Sequence, residues 1–273
     1  IDELVESTEM LLKNGRENSI LVFKSPTGSG KTIMTAKYIQ RVINEFEDDI
    51  CFVWVSVGKG NLHIQSQKKL DKIFEGSPKV SLLVDEFFGS RKEIEKNEVV
   101  VVNWEAINNK DNEGNYTNTV MRDGEKTNFR QVLANTREIG RKIILIIDES
   151  HVGATTERAN ELRDEIKASI ILEMSATPKF QPHISEVKRG LAGWVEVFIQ
   201  DVIDEEMIKK QLIINEGLQD QQERTIDRNL LESAYNKREE LKKLYGNEES
   251  NVNPLVIIQL PNAEEGIDKK DSI

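Results

Sequence analysis

The 273 residues exceed what one hydrophobic core usually fills, so the length calls for one large α/β domain plus an appendage, or for one and a half domains. Apolar residues make up 38% and charged residues 31%, and no apolar run approaches the roughly 20 residues of a membrane-spanning helix, which excludes a helical membrane protein. A formal net charge of -11 excludes a protein that coats nucleic acid by bulk electrostatics, so any contact with DNA or RNA has to be local.

The chain opens on IDELVESTEMLLKNG, which has neither the basic start nor the apolar centre of a signal peptide, and Cys51 is the single cysteine. Both set the expectation of a reducing, cytoplasmic compartment. Cys51 lies in the apolar run ICFVWVSV and reads as a small core residue. No disulfide or zinc-ligand spacing exists.

Residues 4–13 predict a helix, and SILVF from Ser19 a short buried strand. A glycine-containing loop follows, then a helix from Thr32 to Phe46, a strand from Ile50 to Val57 and a helix from Leu62 to Phe74. Strands are expected at Lys79–Val84, Glu98–Asn103, Lys142–Asp148 and Ser169–Ser175, with a helix at Thr156–Ile166. Strands apolar on both faces and alternating with helices predict a mostly parallel sheet covered by helices on both faces. The polar stretch from Asn109 to Asn118 is expected to be an exposed loop. Beyond residue 200, Ile226, Leu230, Ala234, Leu241 and Leu244 recur at helical spacing and predict a helical arm. YGNEESNVNP reads as a linker, and LVIIQLP from Leu255 as the beginning of a new buried strand. One strand does not make a domain, so the sequence is expected to be a piece of a longer polypeptide.

Three motifs carry chemistry. In SPTGSGKT, Gly28 and Gly30 let successive amides turn into one concavity, and the helix that starts there adds its positive end, so residues Pro26, Thr27, Gly28, Ser29, Gly30, Lys31 and Thr32 are the candidate phosphate site. Lys31 would reach the β and γ phosphates of ATP, and the Thr32 hydroxyl would ligate Mg2+. Ser25 stands where the strict pattern has glycine. In IIDESH, Asp148 and Glu149 fall just past a buried strand, where one carboxylate can hold Mg2+ through its waters and the other can activate the attacking water. Alone, DES would read equally as a helix cap after a strand. His151 beside them is assigned to coupling rather than proton transfer. In LEMSATPKF, Ser175, Ala176 and Thr177 end the next strand with small hydroxyls able to bond the acids of the preceding motif, while Pro178 ends the ladder. Glu186 to Lys188 has the ExK spacing of some nucleases, but no Pro-Asp partner precedes it, and it reads as an exposed charged triplet.

The ordered set SPTGSGKT, DESH, SATP resembles the superfamily 2 helicases and translocases. With VWVSVGKGNLHIQSQKKL, VVVVNWEAINNKDNEGN and QDVIDEEMIKKQLIIN, nearly the whole chain is similar to the ATPase subunit of type III restriction enzymes. The resemblance implies a RecA-like P-loop NTPase fold over residues 1–200, a helical connector over 201–250, and over 251–273 a linker with the first strand of a second RecA-like domain. It implies ATP hydrolysis with Mg2+ coupled to movement on double-stranded DNA, with a DNA methyltransferase as partner and no membrane. It also implies that Ser56, Gly58, Lys59, Gln67, Asn103 and Trp104 are candidates for the nucleic-acid surface, although Trp104 by itself reads more as core or loop packing than as a base-stacking platform. The arginines that meet the γ-phosphate from a second half, and a nuclease, are expected outside this sequence. A repair or RNA helicase of the same superfamily, and a non-motor switch that uses ATP to recruit partners through the arm, are the alternatives.

Overall fold

In the computed structural model the apolar runs become a seven-stranded, all-parallel sheet in the order β3-β4-β2-β5-β6-β1-β7. The structure describes residues 1–56, 61–83, 91–111, 113–118, 120–122, 127–148, 157–208, 223–247 and 253–257. The strands are β1 Ser19–Lys24, β2 Ile50–Ser56, β3 Val80–Leu82, β4 Val99–Asn103, β5 Lys142–Asp148, β6 Ile170–Ser175 and β7 Gly193–Glu196. Their β-branched content suits a pleated surface buried on both sides, and all seven residues of β2 are buried.

Alternation along the strands sorts the core into two layers. On one face Phe23, Phe52, Trp54, Ile146 and Leu172 pack with α1 (Asp2–Asn14), α2 (Lys31–Glu45) and α3 (Leu62–Phe74). On the other, Val53, Val55, Leu145 and Ile147 pack with α4 (Trp104–Asn108), α5 (Phe129–Glu138) and α6 (Glu157–Ile166). Each fully buried Ile, Leu or Phe contributes about 1.5–3 kcal/mol, so these two layers outweigh any single polar contact in holding the sheet. The helices end where their sequences say. Gly15 closes α1 in the left-handed conformation at φ 64°, returning its N–H to the Leu12 carbonyl, and Asn128 with Gln131 forms a capping box on α5. Between the layers' helices, the Thr8 hydroxyl of α1 and the Tyr38 hydroxyl of α2 share a buried 2.7 Å hydrogen bond, and burial pushes the Tyr38 phenol up out of its ordinary range.

Three expectations need correction. The loop at 109–118 is not wholly exposed: Tyr116 is 7% exposed and belongs to the second core layer, tied by a Lys110–Tyr116 bridge and by its hydroxyl donating to Glu165 at 2.5 Å. One aromatic inserted from a polar, aperiodic stretch leaves no periodic signal. The edge strand β7 and helices α4, α5, α7 (Ile184–Lys188) and α8 (Ile199–Asp204) were not anticipated. Four residues beginning with glycine are too short to show alternation, yet β7 pairs with β1 along its whole length. Finally, of the strand expected over Leu255–Pro261 only 255–257 fall among the described residues; these form no strand, with Leu255 and Ile257 82% and 83% exposed, and the rest lies outside the described residues.

The chain divides into Ile1–Lys209 and Lys210–Ile273. The first unit holds the sheet. The second holds α9 (Glu223–Asn247), against which Arg238 anchors the following segment by donating to the Pro254 carbonyl at 3.0 Å and to Asn253 Oδ1 at 3.2 Å. Among the described residues no helix is long and apolar enough to cross a membrane.

Candidate functional site

The strand register lines up the motif residues along one edge of the sheet. Asn103 of β4 pairs with Ser56 of β2, Ser56 with Asp148 of β5, Asp148 with Met174 of β6, and the next residue, Ser175, with Lys24 of β1. All are the carboxyl ends of parallel strands, and β5 and β6 separate β1 from β2, so the chain order reverses around β1. Open parallel sheets bind ligands at such an edge.

The phosphate loop leaves β1 and is held by backbone. The Ser25 amide donates to the Ser175 carbonyl at 3.1 Å, extending the β1–β6 ladder one step beyond the strands. Ser25 occupies the position of the missing glycine with its side chain fully buried, its hydroxyl 2.5 Å from that of Ser29. Ser29 in turn donates to the Pro26 carbonyl from its amide at 3.2 Å and its hydroxyl at 2.7 Å. The sequence pattern treats Ser25 as a departure; here its hydroxyl closes the loop from below. Gly28 and Gly30 have φ of 87° and 82°, the left-handed region where a side chain would be strained. A Cβ on Gly28 would also come within 3.1 Å of Ile208.

Gly30 caps the N-terminus of α2, so its carbonyl accepts from Ile33 and Met34, and the positive end of the helix dipole lies at the loop. Lys31 is buried, and its Nζ donates to the Ser25 and Pro26 carbonyls at 3.2 and 3.4 Å. That places a cation inside the curve of the loop. Thr32 follows in the first turn of α2, half-buried, and Thr35 on the next turn donates to Met174 Sδ at 2.8 Å, binding the helix to β6. The donor set fits a nucleotide phosphate: amides at two left-handed glycines, a helix N-terminus and a lysine. A hydroxyl at Thr32 and a carboxylate at Asp148 are the hard oxygen donors that Mg2+ accepts beside water and phosphate. Among the described residues no three His, Cys, Asp or Glu cluster as a metal cage of protein alone.

Asp148 is the last residue of β5, partly exposed at the edge. Glu149 and His151 lie outside the described residues. On β6, Ser175 is fully buried and its hydroxyl accepts from the Thr177 amide at 3.1 Å, folding the Ser175–Thr177 turn back on the strand, with Ala176 half-buried and Thr177 exposed.

The nucleic-acid candidates do not form one group. Ser56 is buried and donates to Ser66 of α3 at 3.0 Å. Asn103 caps α4 through its carbonyl oxygen, which accepts from the Glu105 amide at 2.8 Å, while its amide nitrogen lies 3.3 Å from His63 Nδ1. Gln67 is half-buried on α3. Gly58 and Lys59 lie outside the described residues. Trp104 is corrected: only 7% exposed and packed in the core layer under α4, it offers no ring face to a base. His63 and Ser66, which complete this patch, were not singled out from the sequence; their spacing of three on a helix, facing the carboxyl end of β2, was the available signal. Partial burial holds the His63 imidazole below its ordinary pKa.

Among known families, the model described as "Type III restriction enzyme, res subunit" matches residues 1–180. No curated protein matches the sequence. Among solved structures, the UvsW helicase from bacteriophage T4 is similar at 12% identity over 70% of this chain and 58% of its own, with a TM-score of 0.37. S. cerevisiae Dbp5, bound to RNA and ADP BeF3, is similar at 16% identity over 72% of this chain and 46% of its own, with a TM-score of 0.40. A nuclease-deletion mutant of the type ISP restriction-modification enzyme LlaGI, in complex with a DNA substrate mimic, is similar at 12% identity over 76% of this chain and 18% of its own, with a TM-score of 0.42. The chain thus spans less than two thirds of the length of each of these proteins.

Proposed function

The chain belongs to the family of type III restriction enzyme res subunits, and from that premise we propose that it is the first RecA-like half of an ATP-driven motor that moves on double-stranded DNA. In this reading residues 1–200 are the motor half, 201–250 its connector, and 251–273 lead toward a second half. The partner is a DNA methyltransferase of the same restriction system, the compartment the cytoplasm, and the reaction ATP to ADP and phosphate.

The observation that carries the reading is the register of the sheet edge. Lysine loop, Asp148, Ser175, Ser56 and Asn103 all stand on one row of strand ends, so a nucleotide and a polymer would be held by neighbouring strands of one rigid sheet. The loop amides and Lys31 bind and neutralise the β and γ phosphates. Mg2+, when bound through Thr32 and Asp148, supplies charge neutralisation between the phosphates. Glu149 orients and deprotonates the attacking water. Ser175 and Thr177 sit where a change at the acids reaches β6, and Ser56, Gly58, Lys59, Gln67 and Asn103 would contact the polymer backbone. His151 couples the two.

A phosphate-release assay with and without duplex DNA, single-stranded DNA or RNA, alongside titration of a fluorescent ATP analogue with Mg2+, tests this. In the full-length protein, nucleotide binding with turnover stimulated most by duplex DNA is expected, whereas these 273 residues alone should bind nucleotide with little turnover, because the cationic groups of the facing half supply about 10³–10⁵ in rate. Preference for RNA would make it an RNA helicase motor, and binding without polymer-stimulated turnover in the full-length protein would make it a switch.

A further inference from the structure

Among the described residues, one buried ion pair joins two pieces of this site, and no motif predicts it. Arg163 of α6 donates from Nη2 to Glu173 Oε1 of β6 at 2.7 Å, with the two side chains 15% and 4% exposed. Glu173 sits between Val22 of β1 and Ile147 of β5, in a strand whose other residues before Ser175 are apolar. Removing a carboxylate from water there is unfavourable, and a leucine would fill the same space without that cost. Burial indeed pushes the Glu173 carboxyl above its ordinary range, against the pull of Arg163. Stability alone therefore does not account for the pair.

Its position does. Glu173 shares a face of β6 with Ser175, two residues on, whose carbonyl holds the phosphate loop through the Ser25 amide and whose hydroxyl holds Thr177. Arg163 belongs to α6, the helix that begins after the eight residues following Asp148. Arg163 is steadied by Asn160, which accepts from Nη1 at 3.4 Å. The end of α6 is fixed separately: Arg137 donates to the Ile166 carbonyl at 2.6 Å, and Tyr116 donates to Glu165.

We propose that Arg163 and Glu173 are positioning residues that lock α6 to β6, so that nucleotide engagement in the phosphate loop is transmitted through Ser175 to the turn at Ser175–Thr177. The inference rests on the ATP-binding reading above. The pair touches no reacting atom; it acts through the helix and the strand it joins.

Hydrogen exchange read by mass spectrometry tests it, using ATPγS with Mg2+ as probe and peptides covering 25–34 and 175–180. The variant is Arg163→Met with Glu173→Leu, since replacing both partners by apolar groups spares the fold, whereas removing one would strand a buried charge. In the unaltered chain the probe is expected to slow exchange in both peptides. In the double variant the 25–34 peptide keeps its slowing and the melting temperature holds, while the slowing at 175–180 shrinks about fivefold or more. Arg163→Lys, which keeps the charge, should keep part of it. Equal slowing at 175–180 in both proteins, or none there in the unaltered chain, overturns the proposal. A double variant that no longer melts cooperatively assigns the pair a structural role and overturns it too. No slowing at 25–34 in the unaltered chain is a different pattern: it removes the ATP reading and the coupling with it.

Discussion

The two ends of the motif row are built by different means. At the β1–β6 end, Ser25, Ser29 and Ser175 are 0%, 3% and 0% exposed, and the loop hangs on an amide-to-carbonyl bond that continues the sheet. At the β2–β4 end, His63, Gln67 and Asn103 are only half-buried, and side chain meets side chain at 3.0 to 3.3 Å. A triphosphate has one shape, so a cradle of fixed amides binds it without reorganising. A polymer backbone that slides past requires side chains that can exchange partners. The rigid end suits chemistry and the adaptable end suits movement.

The largest effect that could break this comparison lies at the rigid end. In the full-length protein, Glu149→Gln should lower phosphate release by about 10²–10⁴-fold, the usual weight of a general base, with nucleotide affinity held within about twofold. Unchanged steady-state turnover would remove Glu149 from that role. Next, Lys31→Ala should weaken binding of a fluorescent ATP analogue about 10–100-fold, since a charge-assisted hydrogen bond contributes about 1.5–3 kcal/mol. Affinity equal to that of the unaltered chain would mean that Lys31 does not reach the phosphates. Ser25→Ala removes the hydroxyl beneath the loop and should lower stability by about 1 kcal/mol, seen in chemical denaturation, because Ser29 keeps its bond to the Pro26 carbonyl. A loss of several kcal/mol would show the hydroxyl pair to be a keystone rather than one support among several.

The elements that build the rigid end are more legible in the sequence than those of the adaptable one, for a physical reason. Phosphate chemistry needs glycines, a lysine and acids at fixed offsets from strands, so SPTGSGKT and the acids at the end of KIILIID and just after it declare themselves, and strands β1 to β6 follow from apolar runs. What Ser25 does was hidden, because its role depends on Ser175, distant in sequence and adjacent only through the β1–β6 pairing. The pairing of His63 with Asn103 was hidden for the same reason. Trp104 stood between two readings because its residue type suits both stacking and packing, and the core beneath α4 takes it, as the sequence alone favours. Glu173 was invisible within LEMSATP, since a single acid in an apolar strand looks like noise until its partner on another element is known.

The smallest expected effect sharpens the adaptable end, and it comes from pH. Burial holds the His63 imidazole below its ordinary pKa, so the folded chain binds this proton less readily than the unfolded chain does. Its contribution to stability is therefore fully present above the unfolded value of about 6.5 and is lost as pH falls from there toward the depressed folded value. Being partly exposed, the ring should shift the melting temperature only slightly between pH 7.5 and 5.5. Duplex binding should move the other way: a protonated His63 beside Asn103 adds one cation to a patch of a chain at -11, and phosphates would favour it. His63→Gln keeps a hydrogen-bonding side chain but cannot titrate, so it should flatten both trends. Melting curves and duplex titrations at the two pH values, at constant salt, read this directly. If the glutamine variant reproduces the unaltered chain's pH dependence of duplex binding, His63 does not face the polymer, and the adaptable end has to be drawn without it.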